Sequence, residues 1–192
     1  MLDRIIGVLS FNAAKYREIA EDKSATLQAG IIIGLALFIQ GFISGFIEVD
    51  SQTGTALTNM ILGLSRAAAV LISGLIAWVI AGCVITFIAK LLGGKTNIGE
   101  MLRVTGYVAI FGILSFLSLL ALSIPSLGFI AEIVIFIVGI LELFGYIFGV
   151  SKVAEISVRK TFFITLVAAV INLPIILFLT DFILKTLRIS GA

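Results

Sequence analysis

Two acidic residues interrupt an otherwise uncharged apolar stretch, and their position is the feature of this sequence that could support chemistry. Glu132 and Glu142 lie between Gly128 and Val150. A carboxylate near the middle of such a segment costs at least about 2.5 kcal/mol in a bilayer unless it is protonated, paired or hydrated. On a helix the two would be about 15 Å apart along the axis and about 80° apart around it. They cannot share a proton, but both could face one interior or one wet cavity.

Two interpretations of Glu142, the deeper residue, remain open. It could belong to an ion or proton path or to a substrate site, or it could make a structural hydrogen bond to a neighbouring helix. Polar residues that could be its partners occur in the other apolar stretches of the chain: Gln40, Ser44, Ser73, Thr86, Ser115, Ser118 and Asn172.

The sequence contains a fragment of a phosphate-binding loop pattern at Gly93, Gly94 and Lys95. The full pattern requires a glycine where this chain has Ala89, and it follows a strand rather than an apolar helix. We therefore expect a helix C-cap instead, in which a glycine adopts the left-handed conformation. Lys95 would then face the carbonyl end of the helix and anionic lipid headgroups.

Residue types that commonly catalyse reactions are scarce. The chain has no histidine and one cysteine, Cys83, so the commonest general base and metal ligand is missing. No serine or cysteine has a base beside it, and no cluster has metal-ligand spacing. We expect no catalytic residue, no metal and no cofactor, and therefore no enzyme. The net charge of +2 gives no support for a nucleic-acid partner.

Composition indicates a protein whose main partner is the lipid bilayer. Hydrophobic residues make up 60% of the 192 residues and charged residues 12%, whereas a soluble domain has roughly 25% charged residues. About 20 apolar residues in a helix cross the hydrocarbon core. The pattern predicts an all-α polytopic helix bundle with five spans, at about residues 27–47, 67–89, 104–122, 128–150 and 161–180, and a tight turn around Pro125.

The first 26 residues are predicted to be a cytoplasmic amphipathic segment. Apolar residues recur there at helical spacing, beginning with Leu2, Ile5, Ile6 and Leu9, and charged or polar residues fill the other face. Because a span follows directly, one amphipathic helix lying in the membrane interface is expected.

The distribution of basic residues predicts the orientation. Ten of the 13 lie in the segments on the N-terminal side of the membrane, and three lie on the other side. Short loops rich in Lys and Arg remain in the cytoplasm. The N-terminus is therefore expected inside and the C-terminus outside.

Small residues recur at a spacing that permits close helix packing. Three pairs have the GxxxG spacing: Gly30 and Gly34, Gly41 and Gly45, and Gly145 and Gly149. Such pairs let helix backbones approach each other. Packing within the chain is the favoured interpretation, and a homo-oligomer is the alternative.

Two loops carry sequence features beyond hydropathy. One is LLGGKTNIGEMLRVTGY, residues 91–107, with Gly93, Gly94 and Lys95; the other is KVAEISVRKTFFITLV, residues 152–167, with Glu155, Ser157 and Lys160. Both resemble the cytoplasmic loops of the Yip-one domain family of Ypt/Rab-interacting membrane proteins. The resemblance implies five spans, a cytosolic N-terminus and, in eukaryotes, a link to vesicle traffic. The short N-terminal segment is similar to that of prokaryotic members, which implies a prokaryotic cell membrane.

The favoured function is membrane organisation, or binding of a membrane or cytosolic protein partner, without catalysis. The alternative is a small transporter or channel that uses Glu142 and Glu132. A conduction path is normally lined by polar groups from two or more helices. Acidic residues occur only in the fourth span, which favours the first function.

Overall fold

The structure is a computed structural model with five helical segments long and apolar enough to cross a membrane. It describes residues 1–49, 56–58, 60–122 and 128–186. The spanning segments are Ala25–Phe46, Met60–Leu91, Ile98–Leu119, Phe129–Ala154 and Val158–Thr186. The predicted fold class, an all-α polytopic bundle of about five spans, is confirmed.

The N-terminal segment forms two helices, α1 (Leu2–Leu9) and α2 (Ala13–Glu21), so the prediction of one continuous helix is wrong. Phe11 adopts a left-handed φ of 53° between them. The Asn12 side chain accepts a hydrogen bond from the Ala14 N–H at 3.0 Å and caps α2. An asparagine fits the polar face of an amphipathic pattern, but its carbonyl also competes for backbone donors and starts a new helix.

Ion pairs hold α1 against α2. Arg4 of α1 bonds Glu18 at 2.9 Å and Asp22 at 2.6 Å. Lys15 of α2 pairs with Asp3 of α1 and, within α2, with Glu18 at 2.8 Å. Hydrogen bonds from the Ser24 side chain and then from Arg4 lower the pKa of Asp22 to about 2. Lys15 and then Arg4 lower the pKa of Glu18. Both carboxylates therefore stay charged at neutral pH and stabilise the helix pair.

The α1–α2 pair shares the core of the bundle rather than lying apart from it. Tyr16 of α2 is fully buried and packs edge-on against Phe148, with ring centroids 5.5 Å apart. Its hydroxyl donates to the Val8 carbonyl oxygen at 3.3 Å. The first residues of the chain therefore fix the position of helices that cross the membrane.

The first span, α3 (Ala25–Phe46), is followed by two short strands, β1 (Ile47–Val49) and β2 (Ala56–Thr58). The strands pair antiparallel, with Ile47 opposite Thr58. This hairpin connects the first span to the second at the end of the bundle remote from α1 and α2.

The second span, α4 (Met60–Leu91), begins before the predicted start at Ala67. The prediction began the span at Ala67 by counting one membrane thickness back from Lys90, and it left residues 55–65 as a helical extension or a short interfacial helix. In the structure, Arg66 NH1 donates to the Ser44 carbonyl oxygen at 3.1 Å, near the carbonyl end of α3. The Arg66 guanidinium is thus bonded to α3, and α4 extends on the N-terminal side of Arg66 to Met60.

The third span is irregular. It consists of α5 (Ile98–Val108), α6 (Ile110–Ile113), a 3₁₀ turn (Leu114–Phe116) and α7 (Leu117–Leu122). The break at Ala109 lies inside the apolar part of the chain. Tight 3₁₀ stretches within a helix commonly occur at functional hinges or strained sites.

The third span also begins earlier than predicted, at Ile98. Asn97 and Glu100 form a reciprocal capping box: the Asn97 side chain accepts the Glu100 N–H at 3.0 Å, and the Glu100 carboxylate accepts the Asn97 N–H at 3.1 Å. Arg103, placed in the loop by the prediction, is 7% exposed. Its Nε donates to the Ala20 carbonyl oxygen at 2.9 Å, so the charge is satisfied at the C-terminal turn of α2.

The last two spans are α8 (Gly128–Ala154) and α9 (Val158–Thr186), which contains Pro174. Both are longer than predicted, because their charged end residues continue the helices. The predicted turn around Pro125 and the C-terminal residues 187–192 lie outside the described residues.

Candidate functional site

A cavity of about 390 Å³ lies within the bundle and contains Glu142. Five helices, α3, α4, α5, α8 and α9, contribute to its wall. Most of the lining is aliphatic. The side chains with polar atoms come from all five helices: Gln40, Trp78, Thr105, Glu142, Tyr146, Thr165 and Asn172.

The cavity lies at mid-membrane depth. We call the end of the bundle formed by residues 92–97 and 155–157 the loop face. Glu142 is about 18 Å along α8 from the helix end at this face, and Asn172 is about 21 Å along α9. Gln40 is about 22 Å along α3 from Ala25. In a hydrocarbon core about 30 Å thick that begins at the loop face, these groups would lie within about 7 Å of its middle.

One hydrogen bond joins two helices across the wall of the cavity. The indole N–H of Trp78 on α4 donates to Thr105 Oγ1 on α5 at 2.9 Å. The Thr105 hydroxyl donates in turn to the Met101 carbonyl oxygen at 2.7 Å. Trp78 lies in the middle of the predicted second span, away from the membrane interface where tryptophan is usual. The bond to Thr105 satisfies its indole N–H.

Two acceptors in the cavity lack partners. Within the part of the chain that the structure describes, the Glu142 side chain makes no hydrogen bond or ion pair. Asn172 Oδ1 is buried and has no hydrogen-bond partner there. Buried polar atoms are almost always bonded, so Asn172 Oδ1 is suited to a bound molecule that supplies a donor, and the Glu142 carboxyl group lies in the same lining.

Gly112 of α6 lies next to two polar side chains of the cavity, Gln40 and Glu142. A Cβ atom on Gly112 would lie 2.6 Å from Gln40 Nε2 and 3.6 Å from Glu142 Oε2. A larger residue would displace the Gln40 amide. Gly112 is therefore a positioning residue of this site. Nothing in the sequence distinguishes this role of Gly112 from that of the other glycines.

The structure does not bring Glu132 to the same cavity. Its side chain is exposed on the outer surface of α8, and it is not part of the lining. The rotation of about 80° between the two positions turns Glu132 out of the interior that Glu142 faces. Of the two intramembrane acids, Glu142 alone belongs to the site.

The proposed polar partners of Glu142 divide into two groups. Gln40 and Asn172 line the cavity with it. Ser73 instead shares a hydrogen bond of 2.7 Å with Thr180 of α9. The others donate to carbonyl oxygens of their own spans: Ser44, Thr86, Ser115 and Ser118.

The two loops singled out in the sequence meet at the loop face. The backbone N–H of Lys95 donates to the Ala154 carbonyl oxygen at 3.0 Å. The Lys160 ammonium donates to the Leu92 carbonyl oxygen at 2.9 Å. A Cβ atom on Gly94 would lie 3.0 Å from the Ala154 oxygen, so this contact requires a glycine.

Each of these loops contains one residue in the left-handed backbone region, a glycine in the first and a glutamate in the second. Gly93 adopts a left-handed φ of 89°, and Glu155 has φ 56°. Ser157 precedes α9, and its hydroxyl accepts the Lys160 N–H at 3.5 Å. The two loops thus terminate α4 and start α9 in contact with each other.

The glycine pairs differ in their packing. A Cβ atom on Gly41 or Gly45 would lie within 3 Å of α4, and one on Gly145 would lie 2.9 Å from Phe111. Gly149 lies against Tyr16, whose Cε1 would be 2.7 Å away. Gly30 has no neighbouring atom within 4 Å, and the nearest atom to Gly34 is 3.6 Å away. Gly41, Gly45, Gly145 and Gly149 are therefore closely packed within the chain, Gly34 is in ordinary contact with Leu71, and only Gly30 of the three pairs has open space.

The sequence analysis did not identify four of the polar residues that line the cavity: Trp78, Thr105, Tyr146 and Thr165. Tyr146 could have been found, because it lies four residues after Glu142 and so on the same helix face. The predicted spans put Thr105 and Thr165 near their ends. Only the observed starts of α5 and α9 show that both residues lie deeper in the bundle. Among the described residues, no group of three or more acidic or cysteine side chains could hold a metal ion.

Comparison with curated proteins and with solved structures gives no match. The family model of the Yip1 domain matches residues 6–180, nearly the whole chain. This matched region includes the cavity and both loops of the loop face. The chain is therefore a multi-pass integral membrane protein that belongs to the Yip1 domain family.

Proposed function

We propose that this protein binds a small solute in the cavity around Glu142, as a small transporter would. The observation that carries the proposal is the convergence of polar side chains from five helices on one mid-membrane cavity. In the sequence, acidity confined to the fourth span favoured a purely organising role. The folded chain adds Gln40, Thr105 and Asn172 from three other helices to the same space.

The size and lining of the cavity support a binding role without catalysis. Small-molecule sites occupy roughly 300–1,000 Å³ and are mostly apolar, with a few convergent polar groups. Transporter sites commonly lie near the bilayer midplane beside interrupted helices. The irregular third span borders this cavity at Ala109.

Cysteine accessibility tests the proposal. The native Cys83, which is exposed on α4, is first replaced by serine. Ala81→Cys then places a thiol in the cavity wall, and Val79→Cys places one on the same helix at a side chain 46% exposed on the outer surface. Thiols ionise in water and not in lipid, so a water-soluble methanethiosulfonate should modify Ala81→Cys at least about tenfold faster. Equal, slow rates at both positions would contradict a solute site.

A second candidate function, membrane organisation, is supported by the surface of α1. Leu2 and Ile6 are 71% and 57% exposed and lie on one face of this helix. An apolar stripe of this kind inserts into the headgroup region. An environment-sensitive fluorophore at Leu2→Cys should report an apolar setting in vesicles, and one at the exposed Arg17→Cys should report water. A hydrated signal at both positions would argue against this function.

We infer that the loop face is cytoplasmic and that the C-terminus is outside. Lys95 and Lys160, two of the basic residues that predict this orientation, both lie at the loop face, where they bond Ala154 and Leu92 respectively. Membrane-impermeant labelling of cysteines engineered at Lys95 and at Lys185 in intact cells tests the orientation. Labelling of both from the same side would refute it.

A further inference from the structure

The charge of the cavity selects for a cation. Among the described residues, its lining contains one carboxyl group, that of Glu142, and neither lysine nor arginine. At mid-membrane depth a charged ligand must find its countercharge in the protein, because lipid provides none. We propose that the ligand of this cavity is a small organic ammonium ion with an apolar body. This inference rests on the proposed solute site.

The unpaired acceptors fit the donors of an ammonium group. Glu142 has no partner among the described residues, and Asn172 Oδ1 is buried without a donor. The Gln40 amide and the Glu142 carboxyl group both lie close to Gly112. A primary ammonium offers three N–H donors and accepts none. An alcohol offers only one donor, and a carboxylate would place a second negative charge beside Glu142.

The remainder of the lining fits an organic rather than an inorganic cation. Trp78 and Tyr146 supply aromatic rings, which attract ammonium groups. Calcium and magnesium take six or more oxygen ligands, with several carboxylates or waters, and this cavity has one carboxylate. Leu37, Leu143 and Ile176 add aliphatic surface against which a hydrocarbon body can pack.

The single tryptophan of the chain, Trp78, makes binding directly measurable. Purified protein in lipid nanodiscs is titrated with three probes of matched shape: phenethylammonium, 2-phenylethanol and 3-phenylpropanoate. Trp78 emission is followed with excitation at the red edge of indole absorption. Phenethylammonium should bind at least about tenfold more tightly than the alcohol, and the carboxylate should not bind detectably.

Two variants separate the role of Glu142 from that of general acidity. Glu142→Gln removes the countercharge and should reduce ammonium affinity to that of the alcohol. Glu132→Gln removes an acid from the same helix outside the cavity and should leave the affinity within about twofold of wild type. The alcohol titration checks that the Glu142→Gln cavity is still formed, because its affinity should be unchanged.

The outcomes distinguish failure of the ammonium proposal from failure of the solute site. If the alcohol binds as tightly as the ammonium, and Glu142→Gln changes neither, the ligand class is wrong and the site stands. If no probe changes Trp78 emission while Ala81→Cys reacts rapidly, the ligand class is again wrong. If no probe binds and Ala81→Cys is as unreactive as Val79→Cys, both proposals fail.

Discussion

Trp78 and Thr105 form a hydrogen bond of 2.9 Å between α4 and α5 at the wall of the Glu142 cavity. Thr105 is 2% exposed, and its hydroxyl is the acceptor that the described residues give the indole N–H. Thr105→Val should leave the indole N–H unpaired and destabilise the protein by about 1–3 kcal/mol. Thermal unfolding in detergent measures the loss.

Thr86→Val is the matched control for this variant. Thr86 is buried on α4, and its hydroxyl donates to the Gly82 carbonyl oxygen of its own helix, so no contact between helices is lost. Trp78 emission should change in Thr105→Val and remain unchanged in Thr86→Val. Identical emission in both variants would show that the interhelical bond is absent.

Gly149 should tolerate substitution far less well than Gly30. An alanine Cβ at position 149 would lie 2.7 Å from Tyr16 Cε1 and 2.9 Å from Val104 Cγ1, so Gly149→Ala should cost about 1–3 kcal/mol through overpacking. Gly30→Ala meets no atom within 4 Å and should be neutral or stabilising by up to about 1 kcal/mol. Denaturant unfolding compares the two, and a similar change in both would contradict the packing of α2 on α8.

Docking of α1 should weaken at low pH. The pKa of Asp22 is lowered from 3.8 to about 2 in the folded protein, so its contribution to stability is complete above about pH 4 and is lost as the pH falls toward 2. A spin label at Ile6→Cys, in the Cys83→Ser background, should become more mobile in that interval.

Asp22→Asn provides the control for the pH experiment. Without the carboxylate, the ion pair with Arg4 is missing at every pH. The label should already be more mobile at neutral pH, and the change between pH 4 and 2 should be smaller than in wild type. Equal pH responses in the two proteins would assign the transition to other groups.

Much of the fold follows from the sequence because bilayer thickness and helix rise leave few choices. Five spans and the meeting of small residues with neighbouring helices could be predicted in this way. Helix ends could not: the second span was begun after Arg66 by counting one membrane thickness back from Lys90, and Arg103 was assigned to the loop before the third span. Arg66 and Arg103 each donate to a backbone carbonyl oxygen of another helix, at Ser44 and Ala20 respectively. Contacts between segments that are distant in the sequence cannot be predicted from a local sequence pattern.

The candidate site was predictable only in part. The depth of Glu142 in an apolar run identified it as the residue to examine, and Gln40 and Asn172 were among its proposed partners. The rotation of α8 that separates Glu142 from Glu132 depends on how the bundle packs. The cavity itself is a property of five helices, and no single span encodes it.

Glu142→Leu should fold almost as well as the wild type. Since the Glu142 side chain makes no hydrogen bond to a described residue, its removal leaves no donor unsatisfied, and stability should change by less than about 1 kcal/mol. Ser73→Ala, which removes the bond of 2.7 Å to Thr180, should cost about 1 kcal/mol by the same measurement. A loss of 3 kcal/mol or more in Glu142→Leu would mean that Glu142 is a structural residue.

Quenching of Trp78 in the unmodified protein tests the central claim, a solute-accessible cavity at Glu142, most directly. In nanodiscs, aqueous acrylamide should quench the single tryptophan strongly, and lipids brominated on their acyl chains should quench it weakly. Caesium should quench more than iodide, because the only charged lining residue is acidic. Strong quenching by brominated lipid with none by acrylamide or caesium would show that Trp78 faces lipid or sealed protein, and would contradict the account.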